Sequence, residues 1–336
     1  MGLRGKKILV TGGAGFIGSH IVESLTAQGA RVVVFDNLSS GKIENLEAVQ
    51  GDVEMIRGDI LDYNSLLKAC QGVDIISHQA AQLEIFKCID NPTEDLETNT
   101  IGTLNVLNAA RESNVEKVIN ASSACVYGQA QQIPQSEKHP TNPNWAYGVS
   151  KLAAEKYCQI YQEYYGIPIV SLRYGIVYGE REWFGRVLTS FVKRVQNNEP
   201  PVIFGDGKQI RDFINVTDLV QMHNLCIERD GSNGKVFNVA SGAGTTISEL
   251  ASIVIECSGN KLSPLYEDLK EGTLSKYIPN RRRIPAELRA MVLSIDKARE
   301  ELGWSPTMPL KHGIVKEMRW ISHNPGPWEI EGLVHI

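Results

Sequence analysis

The sequence predicts an α/β protein in which a doubly wound parallel sheet is joined to a smaller C-terminal α/β lobe. The first half alternates short apolar, strand-like runs with helical patterns, an order that implies a parallel sheet covered by helices on both faces. The runs are apolar almost throughout, as is typical of buried parallel strands. Beyond residue 175 the loops lengthen and prolines become frequent. We therefore expect one domain over residues 1–175 and a second mainly over residues 176–336, with segments such as 236–239 returning to the main sheet.

The elements of the first half follow from this alternation. Strands are expected at residues 7–11, 31–35, 74–78, 117–121 and 168–172. Helices are expected at residues 17–28, 64–69, 96–113 and 145–165. Helices between successive strands allow those strands to lie parallel in one sheet.

The composition argues against several classes of function. The net charge of −5 provides no basic field for nucleic acid. No stretch approaches the roughly 18 apolar residues of a membrane span, and the first residues lack a signal-peptide pattern. The cysteines show no metal-ligand spacing, which favours reduced thiols and no metal site. We therefore expect a cytoplasmic protein without a nucleic-acid, membrane or metal partner.

A glycine-rich turn follows the first predicted strand and precedes the first helix. Gly12, Gly15 and Gly18 have the spacing that permits a tight turn, close approach of a pyrophosphate, and close packing of helix on strand. The helix N-terminus adds partial positive charge for the phosphates. Asp36 closes the next strand, where a carboxylate accepts hydrogen bonds from an adenosine ribose and repels a 2′-phosphate. The pattern predicts a Rossmann-type site for NAD rather than NADP; the alternative is that Asp36 only caps a turn.

Tyr147 and Lys151 lie four residues apart at the start of a predicted helix. This spacing places both side chains on one helix face. A free tyrosine, with a pKa of ~10, is a poor base at neutral pH. A nearby ammonium group and a positive nicotinamide ring would both favour its phenolate form. Alone, the pair is more typical of a surface helix than of a catalytic site.

Together with other motifs, the pair resembles the extended short-chain dehydrogenase/reductase family, in its NAD-dependent nucleotide-sugar epimerase/dehydratase branch. The matching segments occur in the family's order over nearly the whole chain, at residues 11–20, 59–60, 78–81, 99–103, 122–128, 147–151, 172–179 and 205–218.

The resemblance implies three catalytic roles. Tyr147 would be the general base and acid. Lys151 would bind the nicotinamide ribose and lower the pKa of the tyrosine. Ser123 would hydrogen-bond the reacting sugar hydroxyl and relay its proton.

The resemblance also implies binding residues for NAD and for a UDP-sugar. The cofactor would be contacted by Gly12, Gly15, Phe16, Ile17, Gly18, Asp36, Asn37, Ser39, Asp59, Ile60, Ala80, Ala81, Asn99, Tyr147, Lys151 and Tyr174. The substrate would be contacted by Ser123, Arg181, Val187, Phe204 and Arg211, with Arg211 on the diphosphate and Phe204 beside the base. Relatives carry a further phosphate-binding arginine near residues 281–283, and which of the three arginines here inherits that role stays open.

The residues after Ser123 bear on the reaction. Relatives that eliminate water carry an Asp-Glu pair there, and those that decarboxylate a uronic acid usually carry a glutamate, whereas this chain has Ala124 and Cys125. The resemblance therefore implies a UDP-sugar 4-epimerase, acting through a transient 4-keto sugar. A dehydratase, a decarboxylase or a 4-keto reductase is the alternative on the same fold. A non-catalytic NAD-binding scaffold belongs to a different class, and the intact catalytic residues argue against it.

The sugar itself is left open between a neutral hexose, its N-acetyl form and a uronate. Ile176 replaces the asparagine of relatives that act on neutral hexoses, and Arg181 matches an arginine that binds the carboxylate in uronate epimerases. Arg181 is equally compatible with a loop ion pair. Since helices 96–113 and 145–165 pair across a dyad in most relatives, the resemblance also implies a homodimer.

Overall fold

A seven-stranded parallel sheet forms the centre of the molecule. The structure is a computed structural model that describes residues 2–182 and 185–324, so residues 325–336 of the expected second domain lie outside the described residues. The strands are β1 Lys7–Thr11, β2 Arg31–Asp36, β3 Val53–Arg57, β4 Ile75–His78, β5 Lys117–Ser123, β6 Ile169–Tyr174, β7 Ile176–Tyr178, β8 Val202–Phe204, β9 Ile210–Arg211, β10 Phe213–Asn215, β11 Val236–Val239, β12 Thr245–Thr246, β13 Leu265–Glu267 and β14 Ala290–Met291. The α-helices are α1 Phe16–Ala27, α2 Tyr63–Ala69, α3 Ile85–Asp90, α4 Pro92–Leu96, α5 Gly102–Glu112, α6 Ala146–Tyr165, α7 Val187–Gln196, α8 Val216–Glu228, α9 Ile247–Ser258, α10 Asp296–Leu302 and α11 Leu310–His323.

The order of strands in the main sheet is β11-β6-β5-β4-β1-β2-β3, with every neighbouring pair parallel. The chain starts in the middle, at β1, and winds outward in both directions. This confirms the predicted doubly wound α/β fold. The winding reverses between β1 and β4, and ligands of such sheets bind at the carboxyl ends of the strands beside this reversal.

The edge strand β3 was missed by the sequence analysis. It carries charged Glu54 and Arg57, and its residues are only partly buried or exposed. Charged residues are common on edge strands because they discourage pairing with another chain. The apolar run expected of a buried parallel strand is therefore weak here.

The helix expected at residues 96–113 is instead three consecutive pieces. Helix α4 ends at Leu96, a π-helical turn follows at Glu97–Ile101, and α5 begins at Gly102. A Cβ at residue 102 would overlap the Ile60 side chain, so glycine permits this close approach. Single π turns often occur at functional sites, and this one carries Asn99, which is buried and hydrogen-bonded to the segment after β4.

The second half of the chain contributes to both parts of the molecule. Strand β11 pairs with β6, and α8 packs against α1, so both belong to the main domain. The small lobe has its own core, in which Phe191, Leu250 and Ile314 are buried. No helix in the described part of the chain is long and apolar enough to cross a membrane.

Candidate active site

A cleft of about 1110 Å³ runs along the carboxyl ends of the central strands and continues beneath the small lobe. It begins at the glycine-rich turn after β1, passes the end of β5 and the start of α6, and reaches β8 and β9. The predicted site residues that line it are Gly12, Gly15, Phe16, Ile17, Gly18, Asp36, Asn37, Ser39, Asp59, Ile60, Ala80, Ala81, Ser123, Tyr147, Lys151, Tyr174, Arg181, Val187, Phe204 and Arg211.

The glycine-rich turn has the close packing that its sequence predicts. Gly12 has a φ of 67°, in the left-handed region that favours glycine. A Cβ on Gly18 would overlap the carbonyl oxygen of Gly12, so α1 can approach the turn only with glycine at this position. The first turn of α1 therefore presents backbone N–H groups directly to the cleft.

Asp36 lies at the carboxyl end of β2, with 7% of its surface exposed. Its carboxylate accepts hydrogen bonds from the backbone N–H groups of Ala14 (2.9 Å) and Leu38 (2.8 Å). Burial raises its pKa, and these two hydrogen bonds oppose that shift. The carboxylate is thus fixed in position, and its remaining lone pairs can still accept a ligand hydroxyl.

Asn99, for which the resemblance implies contact with the cofactor, is not among the residues that line the cleft. It is buried behind the wall, where its amide accepts from the backbone N–H of Gln82 (2.8 Å) and donates to the carbonyl of the same residue (2.9 Å). It also donates to Asp95, at 2.8 Å. Asn99 therefore holds the segment after β4 in place.

Ser123, Tyr147 and Lys151 meet where β5 ends and α6 begins, and all three are buried. Ser123 caps the short 3₁₀ turn Ala124–Tyr127, because its Oγ accepts from the backbone N–H of Cys125 at 3.1 Å. Burial raises the pKa of Tyr147 well above its ordinary value, and a hydrogen bond with Ser123 opposes that shift. The tyrosine hydroxyl is thus protonated at neutral pH in the protein alone.

Lys151 lies one turn further along α6 and donates a hydrogen bond to the carbonyl of Ala121, at 2.7 Å. Burial lowers its pKa to about 8, and the nearby Asp95 carboxylate opposes that shift. The ammonium group therefore stays mostly charged at neutral pH. The cluster thus combines the phenol of Tyr147 and the ammonium group of Lys151, at the start of α6, with the hydroxyl of Ser123 at the end of β5.

The three arginines at 281–283 have three different surroundings. Arg281 is directed into the cleft and donates to the carbonyl of Gly185. Arg282 lies over the Phe86 ring, 4.6 Å from its centroid, and pairs with Asp90 at 2.8 Å. Among the three, Arg283 shares a partner with Arg211.

Arg283 and Arg211 converge on the carboxylate of Glu287. The Arg283 Nε lies 3.1 Å from Glu287 Oε2, and Arg211 Nη2 lies 3.6 Å from Oε1. Gln209 links the same carboxylate, at 3.2 Å, to the carbonyl of Phe204, at 3.1 Å. Two guanidinium groups therefore share one anion at the far end of the cleft, beside an aromatic ring.

Arg181 lines the cleft and also has a partner within the protein, as the alternative of a loop ion pair predicts. Its Nη2 pairs with Glu23 on α1 at 2.6 Å, and its Nη1 donates to Ser19 (2.9 Å) and to the carbonyl of Asn45 (3.0 Å). The guanidinium is thereby directed against the first helix of the main domain. It ties the loop after β7 to that helix instead of facing Tyr147.

Arg186 lies near the reacting groups and faces a buried acid pair. Its positive charge lowers the pKa of Cys125 and of Tyr147, in both cases against the larger effect of burial. On its other side it pairs with Glu182 at 3.2 Å, and Glu182 lies beside the buried carboxyl group of Glu317 on α11. The sequence analysis missed this pair, because Glu317 lies far along the chain and carries no motif.

Comparisons with known proteins are consistent with this geometry. The model of the NAD-dependent epimerase/dehydratase family matches residues 8–240. A putative UDP-glucose 4-epimerase of Methanocaldococcus jannaschii is 35% identical, over 94% of this chain and 99% of its own length. The dTDP-D-glucose 4,6-dehydratase of Homo sapiens is 31% identical, over 96% and 92%.

Solved structures have the same fold. The UDP-glucose 4-epimerase of Thermotoga maritima, crystallised with UDP-glucose, has a TM-score of 0.86 and 32% identity, over 95% of this chain and 99% of its own. The UDP-glucose 4-epimerase of Thermus thermophilus, in complex with NAD, has a TM-score of 0.83 and 34% identity, over 94% and 99%.

Proposed function

Because the chain belongs to the NAD-dependent epimerase/dehydratase family, we propose that it is an isomerase, a UDP-sugar 4-epimerase that uses NAD and a transient 4-keto sugar. The observation that carries the proposal is the convergence of Ser123, Tyr147 and Lys151 on a cleft that reaches from the glycine-rich turn to Arg211. A dinucleotide and a nucleotide sugar can lie end to end in such a cleft, with their reactive ends beside the tyrosine.

The residues around the glycine-rich turn fit NAD. A side chain at Gly12 or Gly18 would overlap backbone atoms, so a pyrophosphate can approach the N–H groups of the turn closely. Asp36 accepts the ribose hydroxyls and disfavours a 2′-phosphate. When bound, NAD supplies the hydride acceptor and donor for C4 of the sugar.

Tyr147 takes the proton of the sugar 4-hydroxyl and later returns it. Ser123 shares this proton through its hydrogen bond with the tyrosine. Burial opposes the phenolate, so adjacent positive charge is needed to form it. Lys151 supplies such charge, and its contact with Ala121 uses only one of the three ammonium donors, leaving others for the cofactor ribose.

Arg211 and Arg283 hold the diphosphate of the substrate. Both already contact one carboxylate, that of Glu287, and a diphosphate takes over these contacts with stronger, charge-assisted hydrogen bonds. Phe204 lies beside this pair and flanks the uracil ring. Val187, at the start of α7, lines the cleft towards the sugar.

A dehydratase is the second candidate, since dTDP-D-glucose 4,6-dehydratases are also relatives. Elimination of water needs an acid and a base next to Ser123. Ala124 has no ionisable group there, and burial raises the pKa of Cys125, which keeps its thiol neutral at pH 7. The site therefore favours return of hydride to the opposite face of the keto sugar.

The enzyme acts as a cytoplasmic homodimer under this proposal. Val149, Ile160 and Tyr164 are exposed on one face of α6, although they are large apolar or aromatic residues. Such a face is typical of a protein interface. All six cysteines are free thiols, which suits a reducing compartment.

The test is product analysis with a panel of UDP-sugars. We expect NMR to show interconversion of C4 epimers by the wild type and no solvent deuterium at C4 in D2O. Tyr147→Phe should lower kcat by about 10²- to 10⁴-fold, since it removes a positioned proton acceptor. Tyr157→Phe, on the exposed side of α6, is the matched control. Deuterium at C5 together with loss of water would instead identify a dehydratase.

A further inference from the structure

Arg282 connects the small lobe to the main domain at the mouth of the cleft. Its Nη2 lies 2.8 Å from Asp90 Oδ2, and its guanidinium carbon lies 4.6 Å from the centroid of the Phe86 ring. All three residues line the cleft. The side chains of Arg282 and Asp90 are 30% and 58% exposed, so the ion pair lies where the cleft meets solvent.

A short hairpin that belongs to the small lobe carries Arg282. The backbone N–H of Gly272 donates to the carbonyl of Arg283 at 2.7 Å, which joins the two arms of the hairpin. Its turn is anchored by Glu267 on β13, whose carboxylate accepts from the Ser275 hydroxyl at 2.6 Å. Since β13 pairs with β8, and β8 contributes to the core of the small lobe, the hairpin is fixed to that lobe.

The other side of the contact is helix α3 of the main domain. Phe86 and Asp90 both lie on α3, which packs against α6, the helix that carries Tyr147 and Lys151. Phe86 is buried, whereas Asp90 is exposed. Helix α3 thus offers Arg282 a fixed aromatic ring and an exposed carboxylate, next to the helix of the reacting groups.

The chain just beyond the hairpin is attached to the main domain in a different way. The indole Nε1 of Trp145, the residue before α6, donates to the carbonyl of Pro285 at 2.8 Å. Trp145 is buried and its partner is a backbone group, so this contact is a fixed point. The side chain of Arg282, by contrast, can rotate away from Asp90. The segment therefore has a permanent attachment near Tyr147 and a releasable one at the mouth of the cleft.

The contacts of Arg282 have the strength expected of a closure that opens in every catalytic cycle. A partly exposed ion pair is weak and is screened by salt. A guanidinium group over an aromatic ring adds an attraction of similar size. Together they favour the closed arrangement without preventing the opening that entry and release of a ligand require.

We propose that Arg282, Asp90 and Phe86 form a latch that closes the cleft over the 4-keto sugar and retains it until hydride returns. The inference rests on the proposed function and deepens it. Once a hydride and a proton have left the sugar C4–OH group, only non-covalent contacts hold the keto sugar. Each escape leaves the hydride on the cofactor as NADH and the proton on the protein, so that enzyme molecule can no longer start a cycle.

The first test is charge reversal at the latch, measured as loss of the intermediate. Arg282→Glu places a like charge opposite Asp90, and adding Asp90→Arg restores a pair of opposite charges. We expect Arg282→Glu to release 4-keto sugar about three- to tenfold more often per turnover, the scale of a weak ion pair with an aromatic contact. The absorbance of NADH should rise in step with the released sugar. The double variant should retain the intermediate nearly as well as the wild type.

The second test is the rate of UDP dissociation, measured by stopped flow, which needs no turnover. Arg282→Ala should release UDP about three- to tenfold faster than the wild type, because the cleft is held closed less of the time. Salt should speed release from the wild type more than from this variant, since only the wild type has the exposed ion pair to screen.

Lys235→Glu is the matched control. Lys235 pairs with Glu301 at 2.8 Å, both side chains are partly exposed, and neither residue lines the cleft. Reversal of this pair should change neither the release of 4-keto sugar nor the dissociation of UDP. The NAD content and the Tm of each variant show that it is folded.

Two results would overturn the latch: Arg282→Glu and Arg282→Ala that behave as the wild type in both tests, or a loss of intermediate that the double variant does not repair. The UDP measurement separates the latch from the proposed function. If Arg282→Ala speeds UDP release but the wild type epimerises no UDP-sugar, the latch stands and the epimerase proposal falls. If the wild type epimerises and both variants match it, the reverse holds.

Discussion

The contacts of single arginines decide what each can do in this cleft. Arg181 ends in an ion pair with Glu23 and two further hydrogen bonds, so its charge is used within the protein. Arg211 and Arg283 instead converge on the flexible side chain of Glu287, which a ligand can displace. Arginine thus stabilises the contact between two elements in one place and can bind an anionic ligand in another.

Arg181→Ala should therefore reduce stability without changing sugar preference. We expect the free energy of unfolding to fall by about 1.5 to 3 kcal/mol, the range for hydrogen bonds to charged groups. Glu23→Gln should cost less in the Arg181→Ala background than in the wild type, because the two residues are coupled. Denaturant unfolding of the four proteins of this cycle measures the coupling, and Arg57→Ala on exposed β3 is the control. A selective loss of uronate turnover would restore Arg181 as a substrate ligand.

The sequence predicts the relative positions of two side chains when both belong to the same helix or strand. Tyr147 and Lys151 are four apart on α6, so their common face follows from helix geometry alone. The different positions of the Arg281, Arg282 and Arg283 side chains do not follow from helix geometry, because neighbouring residues of an irregular segment point in unrelated directions. Their partners are supplied by α3, by the loop after β7 and by Glu287.

At the scale of elements, helix α11 closes over the loop after β7 and buries an acid pair. Glu182 and Glu317 are 2% and 1% exposed. Burial raises the pKa of Glu182 to about 7, against the nearby charge of Arg186. Burial and the neighbouring Glu182 raise the pKa of Glu317 well above its ordinary value. Both oxygens of Glu317 and Oε2 of Glu182 are buried and accept no hydrogen bond from the described residues, so we expect the pair to hold a proton at neutral pH.

Glu317→Gln should make the protein more stable than the wild type at high pH, because it removes a buried carboxyl group that is costly to ionise. A carboxyl group whose pKa is raised on folding costs no stability below its ordinary value of 4.5, and its cost grows as the pH rises towards the folded value. We expect the variant to match the wild type at about pH 5 and to exceed its Tm increasingly towards about pH 9. Thermal unfolding across this range measures the difference, with exposed Glu163→Gln as control. A constant difference in Tm would show that no proton is shared.

Element boundaries were predictable where a single pattern dominates. The apolar runs of β1, β2 and β5 and the glycine-marked start of α1 agree with the structure to within a few residues. The charged edge strand β3 and the π turn before α5 were not, because the first is set by its place in the sheet and the second by packing against Ile60.

At the scale of the molecule, helix α6 carries several of the exposed large apolar or aromatic residues of the main domain. Val149 is 52% exposed, Ile160 42% and Tyr164 75%. Tyr164 is four residues beyond Ile160, and spacings of 11 and 15 residues from Val149 correspond to rotations of only about 20° and 60°, so these side chains form one stripe. The small-lobe residue Tyr266 is equally exposed but lies on the separate strand β13.

Ile160→Glu should convert a dimer into a monomer. A charge in the middle of an apolar interface remains unpaired and buried, which strongly disfavours association. Sedimentation at micromolar concentration measures the change, and Tyr266→Glu is the control that should stay dimeric. A wild-type protein that sediments as a monomer would contradict the proposed dimer directly.

The late position of β11 in the chain has a consequence for synthesis on the ribosome. Strand β6 is complete at Tyr174, but its neighbour β11 begins only at Val236. At roughly 5 to 20 residues per second, the nascent chain spends several seconds with β6 as an open sheet edge. That strand is buried along its whole length in the finished protein, so its exposed form is prone to pair with other chains. Until β11 has emerged from the ribosome, we therefore expect this edge of the nascent chain to need protection by a chaperone.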